Sequence, residues 1–421
     1  MTVDVTILKN GMTVATDRMD GIETAAIGVW VGIGARHEHA AVNGVSHMLE
    51  HMAFKGTRRR SAEAIVDEVE SVGGQINAYT SRESTAYYLR VLADDVPMAV
   101  DILGDILQNS TFDPKELERE RAVIIQEIGQ CADTPDDIIF DHFQAVAYPC
   151  QSIGRPILGS HDLVAGMTRD DVAGYMAANY GADRMVLAAA GKVDHEALVR
   201  LAEEAFAGLP RLGPPSGDVA RYRGGDRVEA RDLEQVHIVL GFDGIAYDDP
   251  DYYAASVLSS ILGGGMSSRL FQEVREKRGL VYSIYTFSSS YKDGGLFGLY
   301  AGTGEDEVPV LMPVLAEELA RVGRTVTAHE IARVKAQLKA GLLMALESTR
   351  ARSERLAQHI MVYGRPVPPA EIAQRIDAVD AAAIGRVADR VFTGTSTLAA
   401  LGRVGTLAGL KPFAESLKVA G

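Results

Sequence analysis

Two nearly equal copies of one unit lie along this 421-residue chain, and that repetition limits the possible folds more than any other feature. Met185-Val-Leu-Ala-Ala-Ala-Gly-Lys-Val193 is echoed by Ser396-Thr-Leu-Ala-Ala-Leu-Gly-Arg-Val404, 211 positions later. Each reads as a short buried strand that stops at a glycine. Asp113-Pro-Lys-Glu-Leu117 and Thr327-Ala-His-Glu-Ile331, 214 positions apart, are both capping-box helix starts, and each opens a long helical segment. A looser third pair is the apolar strand over 27–33 and the strand over 236–242, each followed by a helix. Between the copies runs Ala207-Gly-Leu-Pro-Arg-Leu-Gly-Pro-Pro-Ser-Gly217, a Pro/Gly-rich connector that continues loosely to Gly225. The expected organisation is a first domain over 1–208, a linker over 209–226 and a homologous second domain over 227–421. A chain of this length exceeds one ordinary core, so two are expected.

Within the first copy, Ile65, Val69 and Val72 sit at helical spacing in 61–72, and Gly73-Gly74 supplies the stop. Residues 75–80 and 85–91 read as a hairpin around Ser81-Arg-Glu83, and 94–108 as an amphipathic helix. Hairpins imply antiparallel pairing. The fold class is therefore α+β: two tandem homologous α/β domains, each a mostly antiparallel sheet packed with helices.

The formal charge of −15 argues against a nucleic-acid partner, which calls for a basic surface. It suits a cationic substrate, but charge alone speaks to solubility and steering rather than to function. No stretch has the apolar length of a membrane span. The first residues lack an apolar signal region and read directly as a strand and turn, so a cytoplasmic protein is expected. Cys131 and Cys150 make no disulfide framework.

Chemistry concentrates in Asn43-Gly-Val-Ser-His-Met-Leu-Glu-His-Met-Ala-Phe54, which reads as a helix. His47 and His51 are four apart, hence on one face and one turn from each other. Two such imidazoles can bind a single Zn²⁺, and Glu50 stands beside them in the inverted H-x-x-E-H order, where the glutamate is base rather than ligand. Catalytic zinc takes three protein ligands and keeps one open position. Glu127 is the best third candidate, because Val123, Ile124, Ile125 and Ile128 make an apolar neighbourhood where a lone carboxylate is costly. Glu120, seven residues earlier on the same helical face, could orient a ligand, or could equally be an ordinary surface carboxylate. The second copy serves as a control. Glu127 and Glu120 align with Gly341 and Val334, and His47, Glu50 and His51 align near Ala255, Leu258 and Ser259. A residue set absent from one copy is not required by the fold, which argues for function in the other.

With these residues in place, the sequence resembles the pitrilysin-type metallopeptidases, and within them the mitochondrial processing peptidase β-like branch found as short bacterial chains. The matching segments are His47-Met-Leu-Glu-His51, Phe54-Lys-Gly-Thr57, Gly73-Gly-Gln-Ile-Asn-Ala-Tyr-Thr80 and Glu120 with Glu127-Ile128. In the second copy they are Leu262-Gly-Gly-Gly-Met-Ser-Ser-Arg-Leu-Phe271 and Arg275-Glu-Lys-Arg-Gly-Leu-Val-Tyr282. The resemblance implies one zinc per chain, with Glu127 as third ligand and Glu120 as a supporting acid. It implies that Asn77, Ala78, Tyr79 and Thr80 form an edge strand that pairs with bound peptide. It also casts Tyr282 as a donor to the developing oxyanion and Arg275 as a grip on the substrate backbone.

The implied activity is zinc-dependent endoproteolysis of peptides or presequence-like segments, with Glu50 as general base. Two domains make half of the clamshell that longer relatives close around a peptide, so a homodimer is expected, with Arg275 and Tyr282 serving the partner's zinc. A heterodimer in which this chain is a non-catalytic or partner-dependent subunit is the alternative. A second kind of zinc enzyme, a small lyase using H-x-x-E-H with a cysteine ligand, would draw on Cys131, but such proteins are far shorter and lack the second-copy segments.

Overall fold

The structure is a computed structural model that describes residues 2–405. Strand β1 (Thr2–Ile7), β2 (Thr13–Arg18) and β3 (Thr24–Val31) lead into helices α1 (Val45–Met52) and α2 (Ala62–Ser71). The hairpin β4 (Gln75–Thr80) and β5 (Thr85–Leu92) follows, then α3 (Val96–Gln108), α4 (Pro114–Asp133), α5 (Pro135–Ala147), α6 (His161–Gly166) and α7 (Arg169–Asn179). Strand β6 (Met185–Gly191) and α8 (His195–Ala205) close the first copy. The second contains β7 (Gly225–Ala230), β8 (Val236–Asp243), α9 (Tyr252–Gly263), β9 (Val281–Ser290) and β10 (Gly295–Thr303). It ends with α10 (Val308–Thr325), α11 (Ala328–Ala345), α12 (Thr349–Tyr363), α13 (Pro369–Asp377), α14 (Ala381–Phe392) and β11 (Ser396–Gly402).

Both sheets repeat one topology. The first runs β1-β2-β6-β3-β5-β4 and the second β7-β11-β8-β10-β9, so every strand of the second has a counterpart and, among the described residues, β1 is an addition. Pairing is antiparallel throughout except at β2/β6 and β7/β11. The shared strands of the sequence echo, β6 and β11, are fully buried along their length, which is why alanines and leucines fill them.

Each sheet is covered on both faces. The inner face of the first carries Val14, Ile27, Val29 and Leu89 against Met48, Leu49, Ile102 and Leu103 of the helices. Its outer face is covered by α12, whose Leu356, Ala357 and Ile360 meet Ala15, Trp30 and Val186. The second sheet buries Ile238, Leu240 and Leu299 against α9, α10 and α14. Its outer face is covered by α5, through Ile139, Phe143 and Ala147 against Val239 and Ala399. Each of the Val, Leu, Ile, Phe and Met side chains among them contributes about 1.5–3 kcal/mol when fully buried.

The compact units are consequently interleaved in sequence. Among the described residues, one comprises the chain up to Gln130, with Arg155–Asp218 and Met344–Val367; the other comprises Cys131–Gly154, Val219–Leu343 and the chain from Pro368 onward. The sequence repeats over 1–208 and 227–421 thus differ from the compact units by one traded helix each, α5 and α12. The physical reason is that each sheet needs an apolar lid on its outer face, and the amphipathic helix that supplies it comes from the other repeat. The linker is pinned rather than free. Leu212 and Gly213 donate to Asp183 at 2.9 and 2.8 Å, while Ala220 donates to Asp293 and Arg221 to Gln151 at 2.9 and 2.8 Å. Among the described residues no helix is long and apolar enough to cross a membrane.

Candidate metal centre

Helix α1 is aimed by its N-terminus. Gly44 holds φ +97, and a Cβ there would lie 2.8 Å from the Leu158 carbonyl oxygen, so only glycine fits. The buried Glu38 carboxylate accepts from the Asn43 side chain at 2.7 Å and from the Gly44 and Ser46 amides at 2.8 Å each. These bonds satisfy amides that the first helical turn leaves open, and the negative charge suits that end of the helix. Burial pushes the Glu38 carboxyl up while its three donors pull it back. Val45, Met48, Leu49 and Met52 are buried in the core, so the opposite side of the helix presents His47, Glu50 and His51.

Helix α4 supplies the facing side. Its N-terminus is capped by Asp113, which accepts from the Lys115 and Glu116 amides at 2.8 and 3.3 Å. Glu127 Oε2 lies 3.7 Å from Nε2 of both His47 and His51. The three donor atoms fall within 4.8 Å of one another, and no other such group occurs among the described residues. Ligands at zinc distances in a tetrahedron stand about 3.4 Å apart, close to the 3.7 Å of both Glu127–histidine separations. The donors are two nitrogens and one carboxylate oxygen, as a catalytic zinc site takes.

The fit is supported by what holds the second histidine. Glu120 Oε2 meets His51 Nδ1 at 2.8 Å, and its other oxygen takes Lys55 Nζ at 2.7 Å. Burial pushes the Glu120 carboxyl up, but Lys55 and His51 outweigh it and hold it below the usual carboxylate range. An ionised Glu120 therefore fixes the proton on Nδ1 and leaves the Nε2 lone pair for a cation. Burial, with His51 second, pushes His47 down to about 4, which keeps it neutral and able to donate a lone pair. His47 Nδ1 is buried without a hydrogen bond among the described residues, and nothing in the structure accounts for that.

The carboxylates reverse the exposures read from sequence. The Glu127 side chain is 39% exposed and Glu120 only 7%, so the apolar neighbours of Glu127 do not bury it. Glu50 is largely enclosed; burial raises its pKa, opposed by the Thr80 hydroxyl and by His51. Thr80 Oγ1 donates to Glu50 Oε2 at 2.6 Å.

Asn77, Ala78, Tyr79 and Thr80 lie on β4, the last strand of the first sheet, whose outer edge has no strand partner among the described residues. The Ala78 amide donates to Asn77 Oδ1 at 2.8 Å. Tyr79 turns to the outer face, accepting from Trp30 Nε1 at 3.2 Å and donating to Glu354 at 2.9 Å. Of the four side chains, Thr80 alone is bonded to Glu50.

Arg275 and Tyr282 belong to the other unit, where the structure brings them together. Phe271–Glu276 is a π-turn, with the Lys277 amide reaching back to the Gln272 carbonyl at 3.0 Å. The Arg275 guanidinium stacks over Phe271 at 4.8 Å and over Tyr282 at 5.9 Å. Tyr282 is 75% exposed on β9, the edge strand equivalent to β4. In this unit Ala255, Leu258 and Ser259, near which the histidines and Glu50 fall in the sequence match, are all buried in α9.

Sequence reading missed Glu38 and Lys55. Lys55 is four residues beyond His51, a spacing that signals a shared face; Glu38 is non-helical and offers no such signal.

The sequence model of the insulinase family, peptidase family M16, matches residues 13–161, and that of the peptidase M16 inactive domain matches residues 166–338. A zinc protease of Rickettsia felis is 39% identical over 95% of this chain and 97% of its own. The mitochondrial-processing peptidase subunit beta of Lentinula edodes is 39% identical over 97% of this chain and 91% of its own. A protease crystal structure from Helicobacter pylori superposes with a TM-score of 0.88 at 22% identity, covering 95% of this chain and 99% of that one, which speaks to fold alone.

Proposed function

The chain belongs to peptidase family M16, the insulinase family, and we propose that it is a zinc-dependent endopeptidase in which Glu50 is the general base. The observation that carries this reading is the convergence of His47, His51 and Glu127 beside the enclosed Glu50 carboxyl. One zinc per chain would be held by those three residues. Zinc, when bound, supplies the positive charge that makes water acidic near neutral pH and polarises the scissile carbonyl. Glu50 accepts the proton of the attacking water and delivers it to the leaving nitrogen. Glu120 keeps His51 oriented. The open edge of β4, through residues 77–80, pairs with the peptide main chain. Tyr282 donates to the developing oxyanion and Arg275 steadies the substrate backbone, both acting on the zinc site of a second copy in a homodimer.

The substrates proposed are peptides or presequence-like segments, cut in the cytoplasm. A heterodimer is the second assembly reading, favoured by relatives whose names make them the beta subunit of a processing peptidase.

The test is metal content together with cleavage of a mixed peptide library, for wild type and Glu50→Gln. About one zinc per chain in both is expected, with turnover reduced some 10²–10⁴-fold in the variant. Zinc in both with cleavage by neither would shift the reading to a partner-dependent subunit. Absence of zinc from both would sink it.

A further inference from the structure

We infer that Thr80 is a positioning residue for Glu50: its hydroxyl clamps one carboxyl oxygen so that the other is the one presented to the attacking water. The inference rests on the peptidase reading above and gives the Thr80 side chain a role separate from the main-chain pairing of β4.

The argument begins with strand alternation. Ile76, Ala78 and Thr80 share the face of β4 that packs toward the core and α1, whereas Asn77 and Tyr79 share the other. Thr80 Oγ1 therefore points at the helix that carries the metal ligands. It stands 2.6 Å from Glu50 Oε2 and 3.5 Å from the Ser46 carbonyl oxygen. A hydroxyl has one proton, and the shorter, charge-assisted contact takes it. No other side chain among the described residues donates to the Glu50 carboxyl. A glutamate has three torsions, so an unclamped carboxyl would sample several orientations of which few serve proton transfer.

The clamp is itself built on a fixed frame. The turn after Thr80 is gripped by the loop that precedes α1: Ala35 N donates to Ser81 O at 3.0 Å and Arg36 N to Arg82 O at 2.9 Å. A Cβ on Gly34 would come within 2.3 Å of Ser81 O, so the two backbones touch directly. The same loop ends in Glu38, which caps α1. One stretch of five residues thus sets both the hairpin that carries Thr80 and the helix that carries Glu50. A short, directed hydrogen bond between them follows from that shared support rather than from a chance approach of two surface side chains.

Threonine and valine have the same shape, and only the hydroxyl is lost between them. Thr80→Val and Thr80→Ser in the full-length zinc-loaded protein separate the possibilities. The expected result for Thr80→Val is unchanged zinc content, KM within about twofold of wild type and kcat lowered roughly 10–100-fold; Thr80→Ser keeps kcat within about threefold. Wild-type kcat in Thr80→Val, a loss that falls on KM alone, or a serine variant as impaired as the valine one would each overturn the inference. A crystal structure of zinc-loaded Thr80→Val gives a readout that requires no turnover. The Glu50 carboxyl is expected to leave its wild-type orientation, and finding it unmoved would overturn the inference even if wild type cleaves nothing. Wild type without zinc-dependent cleavage would count against the peptidase reading, and the two failures are therefore distinct.

Discussion

Glu120 Oε2 lies 2.8 Å from Nδ1 of His51, and the same carboxylate takes Lys55 Nζ on its other oxygen at 2.7 Å. The contact decides which nitrogen of His51 is free, and so which way the imidazole can offer a lone pair.

Replacing Glu120 with Gln removes the charge that favours Nδ1–H. Zinc affinity should fall about 10–100-fold, with the fold intact. Chelator competition measures it, and an unchanged dissociation constant would show that Glu120 does not orient the ligand. Lys55→Met should shift affinity in the same direction and by less.

Removal of Glu127 acts on the cluster itself. Glu127→Gln and His47→Ala should each leave less than stoichiometric zinc after dialysis, because the donor set drops from three to two. Elemental analysis of the dialysed proteins checks this.

If Arg275 and Tyr282 serve the partner's zinc, mixing Glu50→Gln chains with Tyr282→Phe chains should restore activity. Random exchange makes half the dimers mixed, each with one intact site of two, giving roughly a quarter of wild-type turnover. No recovery, with exchange verified by native mass spectrometry, would rule out the trans arrangement.

The outer helix α12 is held to the first sheet by a buried pair, Arg352 Nη1 to Asp17 Oδ1 at 3.0 Å. Their side chains are 11% and 6% exposed. Asp17→Asn leaves a buried guanidinium without its counter-charge and should cost about 3–5 kcal/mol in urea unfolding of that unit. A cost under about 1 kcal/mol would mean that the pair behaves as a surface one.

Glu330 gives a pH-dependent contribution in the other unit. The Arg269 guanidinium bonds both its oxygens, and Thr327 adds its amide and hydroxyl, so the carboxyl is held down to about 2 against burial. A folded-state pKa below the unfolded value of 4.5 means that the stabilisation is complete above about pH 4.5 and fades as pH falls toward 2. Glu330→Gln should therefore destabilise the protein by on the order of 2 kcal/mol at neutral pH, with the difference shrinking across that acid window. A difference independent of pH would rule out the charge as its source.

The linear order of residues settled a good deal. The echo of 185–193 in 396–404 and the two capped long helices revealed the duplication, because buried strands and helix caps are local patterns with fixed periods. The two histidines four apart with Glu50 between them were legible for the same reason: one helical turn makes them neighbours wherever the helix lies. The hairpin of β4 and β5 falls where alternation and turn residues put it. What needed the tertiary structure were relations between distant segments. Glu38 caps α1 from outside any helix, Thr80 meets Glu50 from across a strand, and the degree of burial of Glu120 and Glu127 depends on what α4 packs against. The trade of α5 and α12 between units is the largest such relation. An amphipathic helix shows in sequence that it has an apolar face, but which sheet that face covers is set by where the chain can place it, and periodicity carries no information about that.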